Sequence, residues 1–405
     1  MRRGLAWSAA LLSCVALAFA LISAAATARP AAPPGLVTGP TSRATRSPLA
    51  DAVWLSSGSV PGRGTRWEQM SRTALLDLHR LRGPGGAVAA GPAGPWNYAW
   101  PRDTAFVAVA LARTGHQAEA VQALTFLQRV QLTDGGFEAR YLLDGSGPPD
   151  DRTRQSDGAG WALWAAGEVT RSSGDARVPA ALRPLVDRAT GFALAATDGG
   201  RRLPPASPDY WEVEVHRTSL GTVAPLLAGL AASQRMYAAL GDSALAQRSG
   251  AAASRLRTVM DVRFAGGWER FGSGGFGGGG GLDAAVTFVM PPFDHSRSVQ
   301  VTDAWTRFQT DALRPAGGLA PGAGWKSDGI SWTPETALVA YTAAMSGRRE
   351  ISEHWMDWLN NHRAPGGSLP EKVLAGGAPA GPAPLAWTAA LVVLTSAELE
   401  APGTH

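Results

Sequence analysis

Eleven separate stretches of this chain repeat apolar residues every three to four positions, and each is closed off by glycine, proline or aspartate. That is the period of the α-helix, in which residues three and four apart share a face. The stretches are of two kinds. "AFVAVALA" (105–112) and "LAWTAALVVL" (385–394) are apolar on nearly every side, whereas "EISEHWMDWLNNH" (350–362) has one apolar and one polar face. The first kind belongs inside a fold and the second outside it. Their alternation predicts an all-α toroid of helical hairpins, an inner ring of helices sleeved by an outer one. No regular alternation of strand and helix patterns is present, which excludes a parallel-sheet fold.

The 405 residues, 45% of them hydrophobic, are enough to bury one large core. The net charge is +4, lysine occurs only at Lys326 and Lys372, and the arginines are scattered. No basic run or basic–aromatic stripe is present, so no nucleic-acid partner is expected.

"MRRGLAWSAALLSCVALAFALISAAATARP" has a basic start, a long apolar run and small residues at Ala26 and Ala28. It reads as a signal peptide over residues 1–28, hence a secreted or extracytoplasmic protein. Left uncut, the run approaches the ~20 residues of a membrane anchor. Cys14 is the one cysteine and leaves with the leader, so disulfides, thiolate zinc sites and cysteine nucleophiles are not expected. Residues 29–64, rich in Pro, Ser, Thr and Ala without sustained helical period, read as a tether and irregular lead-in. The helical domain is expected over 65–405.

Candidate chemistry collects where aromatic and charged residues meet helix starts. "GPWNYAWPRDTAF" puts Trp96, Tyr98 and Trp100 ahead of Pro101, Arg102 and Asp103. Proline at the first helical position and an acid in the first turn are ordinary start signals, but a forked donor beside an acceptor also suits sugar hydroxyls. "RQSDGAGWALW" repeats the theme with Asp157, where Ser156 or Asp157 can cap the helix and Trp161 and Trp164 suit the core. "PDYWEVEVH" crowds Asp209, Tyr210, Trp211 and Glu212, and an acid beside an aromatic ring is a surrounding that raises a carboxyl pKa. Fifteen tryptophans supply flat faces that pack on sugar rings. The histidines form no metal-ligand pattern, and no Gly-x-Ser-x-Gly elbow occurs. No metal or cofactor is expected.

"YAWPRDTAF", "QSDGAGWALW", "PDYWE", "LDAAVTFVMPPF", "SLPEKV" and "PLAWTAAL" follow one another in the order found in glycoside hydrolase family 15, which the chain resembles over roughly residues 65 to 400. The resemblance implies an (α/α)6 barrel of six inner and six outer helices. It implies Glu212 as general acid and Glu371 as general base. It also implies that Arg102, Asp103 and Asp209 hold a terminal sugar, with Trp100, Asp157 and Trp211 as further sugar contacts. The expected activity is an inverting, exo-acting α-glucosidase that releases β-glucose from α-1,4- or α-1,6-linked glucooligosaccharides such as isomaltose. Trehalase-type hydrolysis and an inactive carbohydrate-binding barrel are the alternatives. The chain departs from the family pattern in three ways. It has no room for an N-terminal β-sandwich. It carries Val213 where many relatives have a second carboxylate, with Glu214 one place on. It also has a glycine-rich run at 272–281, read as a flexible loop. Asp283 reads as structural and Glu335 as a helix-start residue.

Overall fold

In the computed structural model the unit Gly35–His405 is described at residues 35–38, 47–272 and 279–401. The leader and most of the expected tether lie outside the described residues, as do 273–278 of the glycine-rich run.

Twelve α-helices are described: α1 (Pro48–Ser56), α2 (Glu68–Leu81), α3 (Pro101–Arg113), α4 (Gln117–Val130), α5 (Asp157–Ser173) and α6 (Arg177–Ala196), followed by α7 (Leu220–Ala239), α8 (Ser243–Phe264), α9 (Val299–Asp311), α10 (Thr333–Met345), α11 (Arg349–Asn361) and α12 (Ala386–Glu400). The inner ring runs α3, α5, α7, a short 3-10 helix at Ala284–Val289, α10 and α12, which packs back on α3 and closes the circle. The helices α2, α4, α6, α8, α9 and α11 form the outer ring. The fold is thus the (α/α)6 barrel, and its missing twelfth member is the 3-10 helix in the "LDAAVTF" motif. Six residues long and buried throughout, it is too short to show a helical period.

Burial follows the patterning. Every residue of α3 from Pro101 to Ala112 is buried, whereas amphipathic α11 buries Ser352, Trp355, Met356, Trp358 and Leu359. Aromatic rings fill the barrel axis: Phe106 lies against Trp161, Trp164, Phe293 and Trp387, with ring centroids 4.8–5.9 Å apart. Helices α5 and α7 approach so closely that a Cβ on Gly160 would sit 2.3 Å from the Pro225 backbone. Only glycine permits that seam.

The expected irregular lead-in contains a helix. Ser47 accepts from the Ala50 amide at 3.1 Å and caps α1, with Pro48 at its first position. Trp54 of α1 is sandwiched between His79 and His116, with centroids 3.9 and 3.8 Å away, and donates to Glu119. At nine residues α1 is too short for periodicity to announce it, and tertiary stacking holds it.

A small sheet crosses one end of the barrel. Lys372–Val373 pairs antiparallel with Ser331–Trp332 and with Pro379–Pro382, and Leu36–Val37 adds in parallel beside Pro382. This ties residue 371 to the start of α10: the Thr333 amide donates to the Glu371 carbonyl at 3.0 Å.

Candidate active site

All six inner members point their N-termini to the same end, because an outer helix returns the chain between each inner member and the next. Trp100–Asp103, Asp157, Asp209–Ser219, Asp283, Trp332–Glu335 and Leu385–Trp387 therefore gather there from sequence positions almost 300 apart. Helix N-termini carry unsatisfied N–H groups and partial positive charge, which favours carboxylates and electronegative ligands.

A cavity of about 270 Å³ opens among these residues. Its wall includes Trp100, Arg102, Asp103, Trp211, Glu212 and Glu371, six of the eight residues singled out from the sequence. Trp96, Trp325, Trp332 and Trp387 add to its aromatic surface, so six of the chain's fifteen tryptophans line one small space. Trp211 stands edge-on to Trp325 at 4.8 Å, and Trp325 edge-on to Trp332 at 5.6 Å.

The other two, Asp157 and Asp209, are buried and are not among the residues lining the cavity. Asp157 accepts from the Trp161 indole at 3.1 Å, and burial raises its pKa to about 7 although Arg102 pulls it down. Asp209 has both oxygens engaged. Oδ1 accepts from Arg270 at 2.7 Å and from the Trp211 amide at 3.0 Å, and Oδ2 accepts from Ser219 at 2.5 Å. Arg270 also donates to Asp283 at 2.7 Å and lies 3.8 Å from the centroid of Trp211. Tyr210 donates to Asp283 at 2.6 Å. Burial works against the Arg270 charge, but Asp283 and Asp209 overcome it and raise its pKa. This network clamps the Pro208–Glu212 loop and so aims Trp211 and Glu212; Asp209 shapes the site and does not face it. Asp283 is structural, as its motif implied.

Glu212 sits in the left-handed region at φ 55, a conformation a non-glycine residue adopts at a cost. Its carboxylate is ion-paired with Arg152 in a short contact, and Arg102 stands 3.8 Å away. Its charged neighbours are thus two guanidiniums and the Asp103 carboxylate, in addition to the adjacent Trp211 that the sequence pointed to. Arg152 belongs to a loop that Thr153 fastens to Glu214 at 2.5 Å, which gives Glu214 an anchoring part at the rim. Across the cavity Glu371 accepts from Trp96 Nε1 at 3.0 Å and pairs with Lys372 at 3.0 Å. Lys372 in turn lies 4.4 Å above the Trp332 ring.

Arg102 is fully buried, 4.5 Å over Trp387 and 3.1 Å from Asp103. Burial works against its charge, yet Asp103, Glu212, Asp157 and Glu335 raise its pKa. Its Nε and Nη1 have no hydrogen-bond partner, and neither do the indole nitrogens of Trp100, Trp211, Trp325, Trp332 and Trp387. Each such orphan costs about 1–3 kcal/mol, so the wall is built for a ligand rich in hydrogen-bonding groups on a flat, partly apolar body.

Glu335 went unrecognised from sequence as a residue of this wall. It lies in the cavity lining, only 3% exposed, with Oε2 unpartnered. It is the third residue of α10, whose N-cap position is held by Trp332 without a side-chain cap hydrogen bond. Burial, the largest influence, raises its pKa to about 8. Among the described residues no group of three or more His, Cys, Asp or Glu is placed to hold a metal ion. No described helix is long and apolar enough to cross a membrane.

No protein-family model matches the sequence, and no curated protein sequence matches it. Solved structures do. A wild-type glycosidase superposes with a TM-score of 0.70 at 20% identity, covering 82% of this chain and 96% of the other. A bacterial glucoamylase complexed with acarbose gives 0.68 at 18% identity over 86% of this chain and 57% of that one. The glucoamylase from Saccharomycopsis fibuligera gives 0.65 at 14% identity, covering 82% and 94%. The chain therefore has the (α/α)6 barrel fold of these glycosidase and glucoamylase structures.

Proposed function

We propose that the protein is an inverting O-glycosyl hydrolase that removes glucose from the non-reducing end of α-1,4- or α-1,6-linked glucooligosaccharides, isomaltose among them. The observation that carries this reading is the cavity itself. Two carboxylates from distant parts of the chain, Glu212 and Glu371, line a space walled by six tryptophans and unpartnered donors. A sugar matches that surface, with apolar ring faces for the indoles and hydroxyls for the orphaned N–H groups. At about 270 Å³ the space is just below the ~300–1,000 Å³ range of small-ligand pockets, which suits the end of a chain better than its middle. The solved relatives in fold, one of them a glycosidase variant in complex with glucose, support the same class.

In the mechanism Glu212 gives its proton to the glycosidic oxygen as the bond to the anomeric carbon breaks. Glu371 takes a proton from a water that attacks that carbon from the opposite face, and the configuration inverts. Positive charge developing on the ring is met by Asp103 and the indole faces. Glu212 has to enter this step protonated, so a bound substrate displaces the Arg152 contact. Trp96 and Lys372 hold the Glu371 carboxylate in place by a hydrogen bond and an ion pair.

The ion pairs on both carboxylates favour one alternative, a barrel that binds sugar without turning it over. A panel of maltose, isomaltose, trehalose, soluble starch and dextran, assayed for glucose, separates the two. NMR of the fresh product should show β-glucose first, and Glu212→Gln and Glu371→Gln should each fall at least ~10²-fold. Initial release of α-glucose defeats the assigned roles, and binding without turnover across the panel defeats the enzyme.

A further inference from the structure

We propose that Glu335 determines specificity in this site: its carboxyl donates a hydrogen bond to one hydroxyl of the sugar unit that fills the cavity. The proposal rests on the reading of the cavity as a glycoside site.

The geometry comes from a repeated helix start. Inner helices α3 and α10 both follow an N-cap tryptophan in extended conformation, Trp100 and Trp332, and both carry an acid as their third residue, Asp103 and Glu335. Both acids line the same cavity and both are almost wholly buried. They differ in their partners. Asp103 has Arg102 at 3.1 Å, whereas Glu335 has no basic side chain in salt-bridge contact and its Oε2 meets no donor or acceptor. A buried carboxylate without a cation is costly, and the group avoids the cost by keeping its proton. Its pKa of about 8, raised chiefly by burial and further by Glu371 and Asp283 while Arg102 and its own helix start oppose, agrees with that state. A neutral carboxyl carries an O–H that the rest of the wall does not use. Asp103 and Glu335 thus present an acceptor and a donor to one ligand from two inner helices flanking α12.

The same arrangement makes the site sensitive to alkali. The charged groups facing Glu335 are Arg102, Asp103, Asp283 and Glu371, with Glu212 and Lys372 farther round. The arginine keeps its charge well past pH 9. Glu335 therefore titrates near pH 8, loses its donor and adds a negative charge beside Glu371.

Glu335→Gln keeps an N–H donor at neutral charge, and Glu335→Leu removes it. The test is binding of glucose and its 2-, 3-, 4- and 6-deoxy analogues, read by tryptophan fluorescence, together with kcat/KM on the best panel substrate from pH 5 to 9. The wild type should bind one deoxy analogue roughly two- to tenfold more weakly than glucose, the range of one neutral hydrogen bond. Glu335→Leu should bind glucose as weakly as that analogue and no longer tell the two apart. Glu335→Gln should keep the discrimination within about threefold and, with binding followed from pH 5 to 9, lose the weakening of glucose binding above pH 8. Unchanged discrimination in Glu335→Leu, or an unaltered alkaline limb of binding in Glu335→Gln, overturns the proposal. Should Glu335→Leu not fold, Glu335→Gln alone decides through its pH profile. A wild type that binds and hydrolyses none of the sugars defeats the glycosidase reading itself, which is a different result from turnover indifferent to residue 335.

Discussion

Replacing Gly381 with alanine should disable Glu371 without touching it. Gly381 has φ +72, and a Cβ there would lie 2.7 Å from Glu371 Oε2 and 3.0 Å from Glu371 Cβ. Two separable costs follow. Alanine in the left-handed region costs about 1–2 kcal/mol. The carboxylate must also move by several tenths of an ångström or more, and misplacing a reacting group by ~1 Å costs on the order of 10²-fold in rate. Gly377 supplies the control. It lies in the same hairpin at φ +85, but a Cβ there meets nothing within 4 Å. Gly377→Ala carries the backbone cost alone. Both variants should therefore lose about 1–2 kcal/mol in urea unfolding, whereas only Gly381→Ala should lose kcat, by about 30- to 100-fold, with KM little changed. Equal activity in the two alanine variants would refute the claim that this glycine exists to seat Glu371.

Arg270→Met strands Asp209 and Asp283 as buried carboxylates, so about 3–5 kcal/mol of stability should be lost in a denaturant titration; a loss under 1 kcal/mol would show that the network does not hold the loop. Asp77 on α2 is buried, and burial raises its pKa to about 7 against the hydrogen bond from Ser368 and the charge of Arg80. The folded state thus holds this proton more tightly than the unfolded chain does. The stability it contributes is whole below about pH 4 and is lost as pH rises toward 7, at up to about 1.4 kcal/mol per pH unit. Asp77→Asn should flatten that part of the stability–pH curve, and an unaltered slope would count against the assignment. Gly160→Ala should cost about 1–3 kcal/mol because its Cβ meets the Pro225 backbone, whereas Gly191→Ala on α6, where nothing lies within 4 Å, should gain about 0.5–1 kcal/mol in thermal unfolding.

Helical period and its two kinds were enough to announce a double ring, because a helix apolar on all sides has to be enclosed and an amphipathic one has to enclose it. Arg102, Asp103, Trp211 and Glu212 stand in short motifs at helix starts or loops where local composition is unusual, whereas Glu371 was singled out through the resemblance of its motif. Four features were not legible. The twelfth barrel member is six residues long and α1 is nine, too few turns for a period to register, and both are held by what they pack against. Asp157 and Asp209 carried the same local signature as Asp103. Whether such an acid faces the cavity or is engaged behind it depends on partners the motif itself does not reveal, here Trp161 one turn along α5 for Asp157 and Arg270, 61 residues away, for Asp209. Glu335 is the converse case. Its local sequence, Thr-Pro-Glu ahead of an apolar run, is that of an ordinary helix start, and that is what it forms. Ring closure then sets this start near Arg102 and Glu371, while burial removes water and no basic side chain comes within salt-bridge contact. Sequence determines that a carboxyl stands at residue 335; the closed barrel, through burial without a partner, decides that it keeps its proton.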